Sequence, residues 1–486
     1  MGLTQTGTRE LQIAIVGGGA SGTLTAAQLL SCAADRGLAL HVTLIDRHGR
    51  HGLGLAYSTS HAAHLLNAMA GQMSAVPDDP GHLVRWAATA GIQPAGGRPS
   101  DPVTATTFLA RRDYGRYLRH VLTEADKRGG PTARLTRLTG EVIGLRQQRT
   151  AGGGRARLFL AGIPPVDADV VILATGNAAA RLPVDVPPGA KGRVIADPWQ
   201  PGALEPAIAA AAAGTPVAIV GTGLTMIDLA MTLTDGQSAA RVHAISRHGL
   251  LPRVHPGTRQ AARQVWLPVI SRTTDPVQLA DLMWQVRSAI SASPEDWHVV
   301  IESLRPYIPA LWRRLPERDK RMFLRHVARY WEVHRHLMPP ATARRITTLK
   351  LTGQLIIHAG GIRSVASGPG GLLLDTGTDP IAAGWLINST GTTGDVVAAA
   401  SPLLRDLFAS GQARPDSLRL GIDAAPGGAV TDRDGQCSDV LFTLGPPLRG
   451  LWYETTAIPE IREQAAALAR RILSDARGRQ QRGSAA

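Results

Sequence analysis

Two stretches of the sequence have residue types and spacing suited to holding a diphosphate. IAIVGGGASGTL runs from Ile13 to Leu24, and VAIVGTGLTMID runs from Val217 to Asp228. In the first, Gly17, Gly19 and Gly22 form G-x-G-x-x-G between an apolar, β-branched run and a helix-forming run. The first glycine permits a tight turn, the second lets the backbone approach a pyrophosphate, and the third lets helix and strand pack closely. Ala20 and Ser21 open the helix, whose free N–H groups and positive dipole end face the phosphates. Asp46, followed by Arg47, ends the next apolar run, LALHVTLID. A carboxylate there can accept both hydroxyls of an adenosine ribose.

The second stretch has Gly221 and Gly223, then Leu224 and Thr225, with Met226 where a third glycine would stand. Its next apolar run ends in Ser246-Arg247-His248 instead of an acid. A guanidinium fork binds a ribose 2′-phosphate that a carboxylate would repel; Arg253 is a further candidate contact. The first cradle therefore suits a ribose diol and the second suits NADPH. Two cradles of opposite preference imply a co-substrate that donates electrons and leaves, and a resident carrier, FAD, that relays them.

Elements that could position these turns are readable along the chain. A length of 486 residues predicts two or three domains. The expected class is α/β, with two three-layer, Rossmann-like dinucleotide-binding domains and a helical insertion. Residues 1–205 and 385–486 are assigned to a discontinuous FAD-binding domain. Residues 206–249 and 346–384 form the NADPH-binding domain, and 250–345, rich in Trp and Arg, form the insertion. RRDYGRYLRHVLTEADKRG reads as a helix and Leu135–Ala161 as a β-ribbon around a glycine loop at 152–154. LKLTGQLIIHAGGI, GGLLLDTG, DADVVILATGN and GWLINSTGTTGD read as strands, and PEIREQAAALARRILSDAR as a closing amphipathic helix.

Composition narrows the chemistry. The formal charge of +14 comes from scattered arginines, which suits anionic cofactors better than nucleic acid. No run of about 18 apolar residues suggests a membrane span, and the N-terminus lacks a signal-peptide pattern. MGLTQT matches a myristoylation start only by its permissive pattern. Cys32 and Cys437 are the only cysteines, so a reducing, cytoplasmic setting is expected and a dithiol reductase lacks its cysteine pair. His326, His334 and His336 lack a partner carboxylate or Cys that would complete a zinc pattern, and no metal is expected. Trp312, Phe323, Tyr330 and Trp331 read as the core of the insertion. Hydrolase and P-loop motifs are lacking.

The chain resembles the bacterial FAD-NAD(P)-binding proteins, two-dinucleotide-binding-domain flavoproteins related to class B flavin monooxygenases. The resemblance rests on AIVGGGASGTLTAAQLL, GLGLAYSTSHAAHLLNAMAGQMS, FLARRDYGRYL, ADVVILATGN, IADPWQPGAL, VGTGLTMIDLA, SRHGLLP and FLRHVARYWEVHRHLMPP. It implies that the strands ending at Thr175-Gly176 and at Gly391 reach the cofactors, and that the loop holding Leu66 and Asn67 lies along the flavin, with Asn67 the candidate catalytic group. It also implies that Gly445 and a helix start at Thr456 to Ile458 approach the flavin. Pro446 follows Gly445 where many relatives carry an acid. A Baeyer–Villiger motif is degraded: Gly192 is retained, Ala190 and Ala196 replace Phe and His, and Trp199 is one residue early. The implied reaction is NADPH-driven formation of a C4a-peroxyflavin from O2, oxygenating a small amine or other soft nucleophile. A reductase or oxidase with another acceptor, or a non-catalytic redox-sensing flavoprotein, stays open. Expected partners are a small-molecule substrate, with no nucleic acid and no membrane; a homo-oligomer is compatible.

Overall fold

The structure is a computed structural model that describes residues 10–94, 101–150, 153–178, 180–257, 276–292, 297–377, 379–391 and 394–483. The MGLTQT start, Gly152 of the glycine loop, the last residues of the tail and parts of the expected insertion (258–275 and 293–296) lie outside the described residues.

The chain begins with β1 (Leu11–Val16), α1 (Ala20–Arg36) and β2 (Leu40–Asp46). Ile13, Ile15, Val42 and Leu44 are fully buried, as a parallel strand covered on both faces requires. Gly37, in the left-handed region at φ 62°, ends α1 by donating to the carbonyls of its last turn. A long loop then leads through α2 (His82–Thr89) to α3 (Arg111–Gly129) and β3 (Ala133–Thr139). β4 (Val142–Thr150), β5 (Gly153–Leu160) and β6 (Ile163–Ala168) form an antiparallel sheet, and β7 (Val170–Leu173) returns beside β1.

The second unit is built the same way. β8 (Val194–Ile195) and α4 (Glu205–Ala212) precede β9 (Val217–Val220), α5 (Leu224–Leu233) and β10 (Val242–Ile245). After the helical region come β11 (Leu355–His358), the antiparallel trio β12 (Ser364–Gly368), β13 (Gly371–Asp375) and β14 (Ile381–Ala383), and then β15 (Trp385–Asn388). β16 (Ala429–Thr431) and β17 (Cys437–Thr443) rejoin the first sheet. The two main sheets run β16-β17-β7-β1-β2-β3 and β11-β10-β9-β15-β8. The second is parallel throughout and the first is parallel except at β16. Two Rossmann-like domains are therefore present, as expected.

Four boundaries differ from the sequence reading. Trp385–Asn388 does not reopen the first domain; it pairs in parallel with β9 on one side and β8 on the other. Val194–Ile195, assigned to the first domain, likewise belongs to the second sheet. Alternating apolar character cannot say which sheet a short strand joins, because both sheets bury such strands alike. Residues 133–139 pair with β2, so the ribbon starts at Val142 and Leu135 lies in the main sheet. LKL at 349–351 is the end of a helix, Pro340–Leu351, and only Leu355–His358 is strand.

The described part of the insertion is helical and docks on the segment just before the C-terminal helix, Ile458–Gly483. Trp312 stacks on Tyr453 at 4.6 Å between ring centroids and donates from Nε1 to the Gly450 carbonyl. Trp331 Nε1 donates to Glu454 Oε1 at 2.9 Å, and Arg335 lies 3.4 Å from the same buried carboxylate. Arg305 donates through Nε and Nη2 to both oxygens of Glu460. Tyr330, read as insertion core, is instead 51% exposed, with His248 at 6.0 Å from its ring. His334 Nδ1 lies 2.7 Å from the Tyr330 carbonyl. Among the described residues, His, Cys, Asp and Glu do not gather in threes as a metal site would need, and no helix is long and apolar enough to cross a membrane. Cys32 and Cys437 are free.

Placing β15 in the second sheet gives a direct test. Leu386 is fully buried there, so Leu386→Ala should cost about 2–5 kcal/mol. Hydrogen exchange should then quicken in Val217–Val220 while Ile13–Val16 stays protected; the reverse pattern would return the strand to the first domain.

Candidate functional site

The two glycine turns have matching backbone constructions. Gly17 donates to the Ile45 carbonyl at 2.8 Å and Ala174 donates to the Val16 carbonyl at 2.9 Å. In the second unit Gly221 donates to Ile245 at 2.7 Å and Ser389 donates to Val220 at 2.9 Å. Both glycines have positive φ, 113° and 116°. A Cβ on Gly17 would lie 2.2 Å from the Ala174 oxygen, and one on Gly221 would lie 2.4 Å from the Ser389 oxygen. Each turn is thus pressed against the strand whose end carries the next glycine, Gly176 or Gly391. Those two also have positive φ, 72° and 79°, and Thr175 at the first is half-buried.

Above Gly17, the start of α1 fits a dinucleotide diphosphate. A Cβ on Gly22 would lie 1.9 Å from the Gly17 oxygen, so helix and strand pack at a separation only glycine permits. Gly19 is the N-cap residue with no side-chain cap, and the first turn has no acid; Ala20 and Ser21 follow. The positive dipole end is left for an anion. Asp46 Oδ1 accepts from the backbone of His48 and Arg50, and Oδ2 accepts from Gly18 at 3.2 Å. A carboxylate has about four lone-pair directions, so one remains, on Oδ2. Three backbone donors thus share the carboxylate that was expected to accept two ribose hydroxyls. Arg47 is exposed beside it.

Two segments distant in sequence close over this cradle. Gly52 donates to the Gly18 carbonyl at 2.9 Å, and a Cβ on Gly54 would lie 2.7 Å from Gly19 Cα. Gly445, at φ 71°, would press a Cβ 2.6 Å from Ser21 Oγ. Gln464 accepts from Gly445 N–H at 2.8 Å, and Thr455 Oγ1 donates to the Gly445 carbonyl. Ile458 is buried in the same core as Leu66 and Leu24, whereas Thr456 is exposed. Leu66 donates to the Leu109 carbonyl at 2.8 Å. Asn67, next to it, is half-buried.

The second cradle is looser. A Cβ on Gly223 would meet nothing within 4 Å, and Leu224 and Thr225 are half-buried at the start of α5. Met226, fully buried, fills the layer that Gly22 closes in the first domain. Thr222 Oγ1 lies 2.9 Å from Ser246 Oγ, which also accepts from Gly249. Thus Ser246 takes the place of Asp46 and is committed to the turn. Arg247 is exposed at that strand end and Arg253, further along and bonded through its backbone to Val333 and Met338, is exposed too; neither forms an ion pair among the described residues.

Sequence reasoning missed the cluster between the cradles. His64 Nε2 lies 3.0 Å from the Asp228 carbonyl and 2.9 Å from Thr232 Oγ1, while Nδ1 lies 2.7 Å from Thr59 Oγ1. A carbonyl can only accept, so Nε2 carries the proton and Nδ1 accepts from Thr59. Arg111 Nη1 pairs with Asp228 Oδ2 at 2.8 Å, with the side chains 18% and 8% exposed. Arg111 Nε donates to the Leu65 carbonyl at 3.2 Å. Burial lowers the His64 pKa to about 4. Burial raises that of Asp228 to about 6 against the pull of Arg111. The sequence signal was present: Asp228 ends the second glycine motif and Arg111 opens an amphipathic helix. Nothing in their spacing joins them.

Comparisons with known proteins fit this geometry. Residues 14–178 match the model of the FAD-NAD(P)-binding family, a stretch that holds the first cradle and strands β1 to β7. A curated relative, the nitrosuccinate-forming L-aspartate N-monooxygenase of Streptomyces cremeus, is 29% identical over 289 residues, covering 52% of this chain and 42% of the relative. The match thus spans less than half of that relative's length. Among solved structures, ornithine hydroxylase of Pseudomonas aeruginosa in its reduced form has a TM-score of 0.59 at 16% identity, covering 96% of this chain and 99% of that one. The ornithine N-hydroxylase of Kutzneria sp. 744 has a TM-score of 0.60 at 14% identity, covering 96% and 100%. These likenesses establish a shared two-domain fold.

Two outcomes follow. Gly17→Ala should yield protein without bound flavin, whereas Gly221→Ala should retain flavin and lose affinity for NADPH; absorbance and equilibrium titration read both. The pH dependence of Asp228→Asn is the second. A carboxyl whose pKa rises on folding contributes stability that is lost as pH climbs from about 4 to about 6. His64, with a lowered pKa, contributes the opposite slope over nearly the same range, so the two offset. Removing Asp228 leaves only the histidine slope. The melting temperature of Asp228→Asn relative to the parent should therefore rise from pH 4.5 to pH 6.5; a relative fall would contradict the assignment.

Proposed function

We propose that this protein is an FAD- and NADPH-dependent oxidoreductase, a monooxygenase that oxygenates a small amine or another soft nucleophile. The observation that carries the reading is the pair of matching cradles with different strand ends, Asp46-Arg47 in one and Ser246-Arg247 in the other, so that only the second offers its arginine without a neighbouring carboxylate. A lone carrier domain has no need of the second.

In this reading Gly17 and Gly22 admit the diphosphate of FAD to backbone N–H groups at the start of α1. Asp46 accepts one ribose hydroxyl through Oδ2. The loop through Leu66 and Asn67 lines the flavin, with the Asn67 amide able both to donate and to accept at a polar edge. Bound there, FAD supplies two-electron chemistry, accepting a hydride and passing electrons to O2. Gly221, Gly223 and the start of α5 receive the NADPH diphosphate. Arg247 grips the 2′-phosphate with a charge-assisted fork. Thr175-Gly176 and Gly391, at the two matching strand ends, leave room for the cofactors to approach. The likeness to an aspartate N-monooxygenase over about half of this chain, and to ornithine hydroxylases in fold, supports nitrogen as the oxygenated atom.

The test is oxygen uptake driven by NADPH during a screen of amino acids and amines, with hydroxylamine and nitro products and peroxide measured together. A substrate that raises uptake and yields an oxygenated nitrogen supports the reading. Peroxide alone with every amine would instead favour an oxidase. Arg247→Ala should raise the half-saturating NADPH concentration about tenfold, the value of one charge-assisted contact, and leave that for NADH nearly unchanged.

A further inference from the structure

The contacts between the two cradles converge on one face of α5. Asp228 and Thr232, one turn apart, both meet His64, and Asp235 just beyond the helix lies 3.3 Å from His61 Nε2. The His61 and His64 rings stack at 4.7 Å, and Trp199, between β8 and α4, meets the His64 ring edge-on with centroids 6.1 Å apart. On the other side, His64 accepts from Arg111 N–H through its carbonyl at 2.8 Å. Arg111 then holds the Leu65 carbonyl and Asp228 at once. The helix that opens the second cradle is thereby tied to the residues immediately before Leu66 and Asn67.

We propose that Arg111 and Asp228, with His64 and Thr232, are positioning residues that fix the separation of the two cradles and so set the rate of hydride transfer between their occupants. The inference rests on the functional reading above: a hydride leaves reduced nicotinamide with both electrons, giving NADP+, and oxidised flavin takes it up. Their observed contacts run to the Leu65–Asn67 loop on one side and along α5 on the other, and it is through these that they act. A buried ion pair is suited to this because removal of either partner strands a charge, so the pair has one tolerated arrangement. Small displacements matter because misplacing reacting groups by about 1 Å can cost about a hundredfold in rate.

The experiment compares Asp228→Asn, Arg111→Gln and the double variant with the parent. Hydrogen exchange on the purified protein should quicken in 59–67 and 224–233 for each single variant, with Ile13–Val16 unchanged. Anaerobic mixing with saturating NADPH should show flavin reduction slowed about tenfold, with the half-saturating concentration moved less than about threefold. The double variant should be no slower than the poorer single, the signature of one shared contact. Unchanged exchange and reduction rates, multiplying losses in the double, or an effect confined to half-saturation would each overturn the proposal. If the charged variants fail to fold, Thr232→Val, which loses only a hydroxyl, should still slow reduction about twofold, and an unaltered rate would count against the clamp. A parent protein whose flavin NADPH cannot reduce would refute the functional reading, while the exchange measurements would still decide whether the contact holds the two domains together.

Discussion

The arrangement depends on a backbone pressed against backbone. At Gly17 the chain turns so close to the Ala174 carbonyl that no side chain can stand between them, and at Gly22 the helix comes equally close to the turn. That closeness leaves the start of α1 facing the crevice with uncapped N–H groups. Any side chain would lift the helix and spoil both the packing and the anion site. The two segments that close over the cradle, one through Gly52 and Gly54 and the other through Gly445, again meet it at glycine.

The second domain repeats the strand–turn–helix plan with one layer relaxed. Met226 replaces the third glycine and fills the gap between helix and sheet with side chain instead of main chain. Its strand end exchanges a carboxylate, held by three backbone donors, for a serine bound into the turn; a solvent-facing arginine follows in both, Arg47 and Arg247. The same scaffold therefore presents a carboxylate beside its arginine in the first cradle and an arginine without one in the second. In the proposed function that difference sorts two dinucleotides that share most of their chemistry.

Much of this was legible in the sequence because it is local. Gly17, Gly19, Gly22 and Asp46 lie within one βαβ unit, where a strand, a turn and a helix follow in fixed order. Gly221, Gly223 and Arg247 could be read the same way. What escaped was set by distance along the chain. Trp385–Asn388 looks like any buried strand, and only its pairing with β9 assigns it to the second sheet. The Arg111–Asp228 pair joins residues whose local patterns say helix and nothing more; the contact exists because two domains fold against each other. Gly445 was expected near the flavin through resemblance, and the structure adds the reason for glycine there, its pressure on Ser21. Nor does sequence reveal that three backbone N–H groups, two from the following turn and one from Gly18, already point at the Asp46 carboxylate.

The central claim is that the two cradles cooperate in a direct transfer between their occupants. Anaerobic mixing of the purified flavoprotein with NADPH deuterated at one or the other face of the nicotinamide tests it most directly. The account predicts that flavin bleaching slows by a primary isotope effect with one stereoisomer and not with the other. Bleaching that is insensitive to both labels, with every other step shown to be fast, would contradict it.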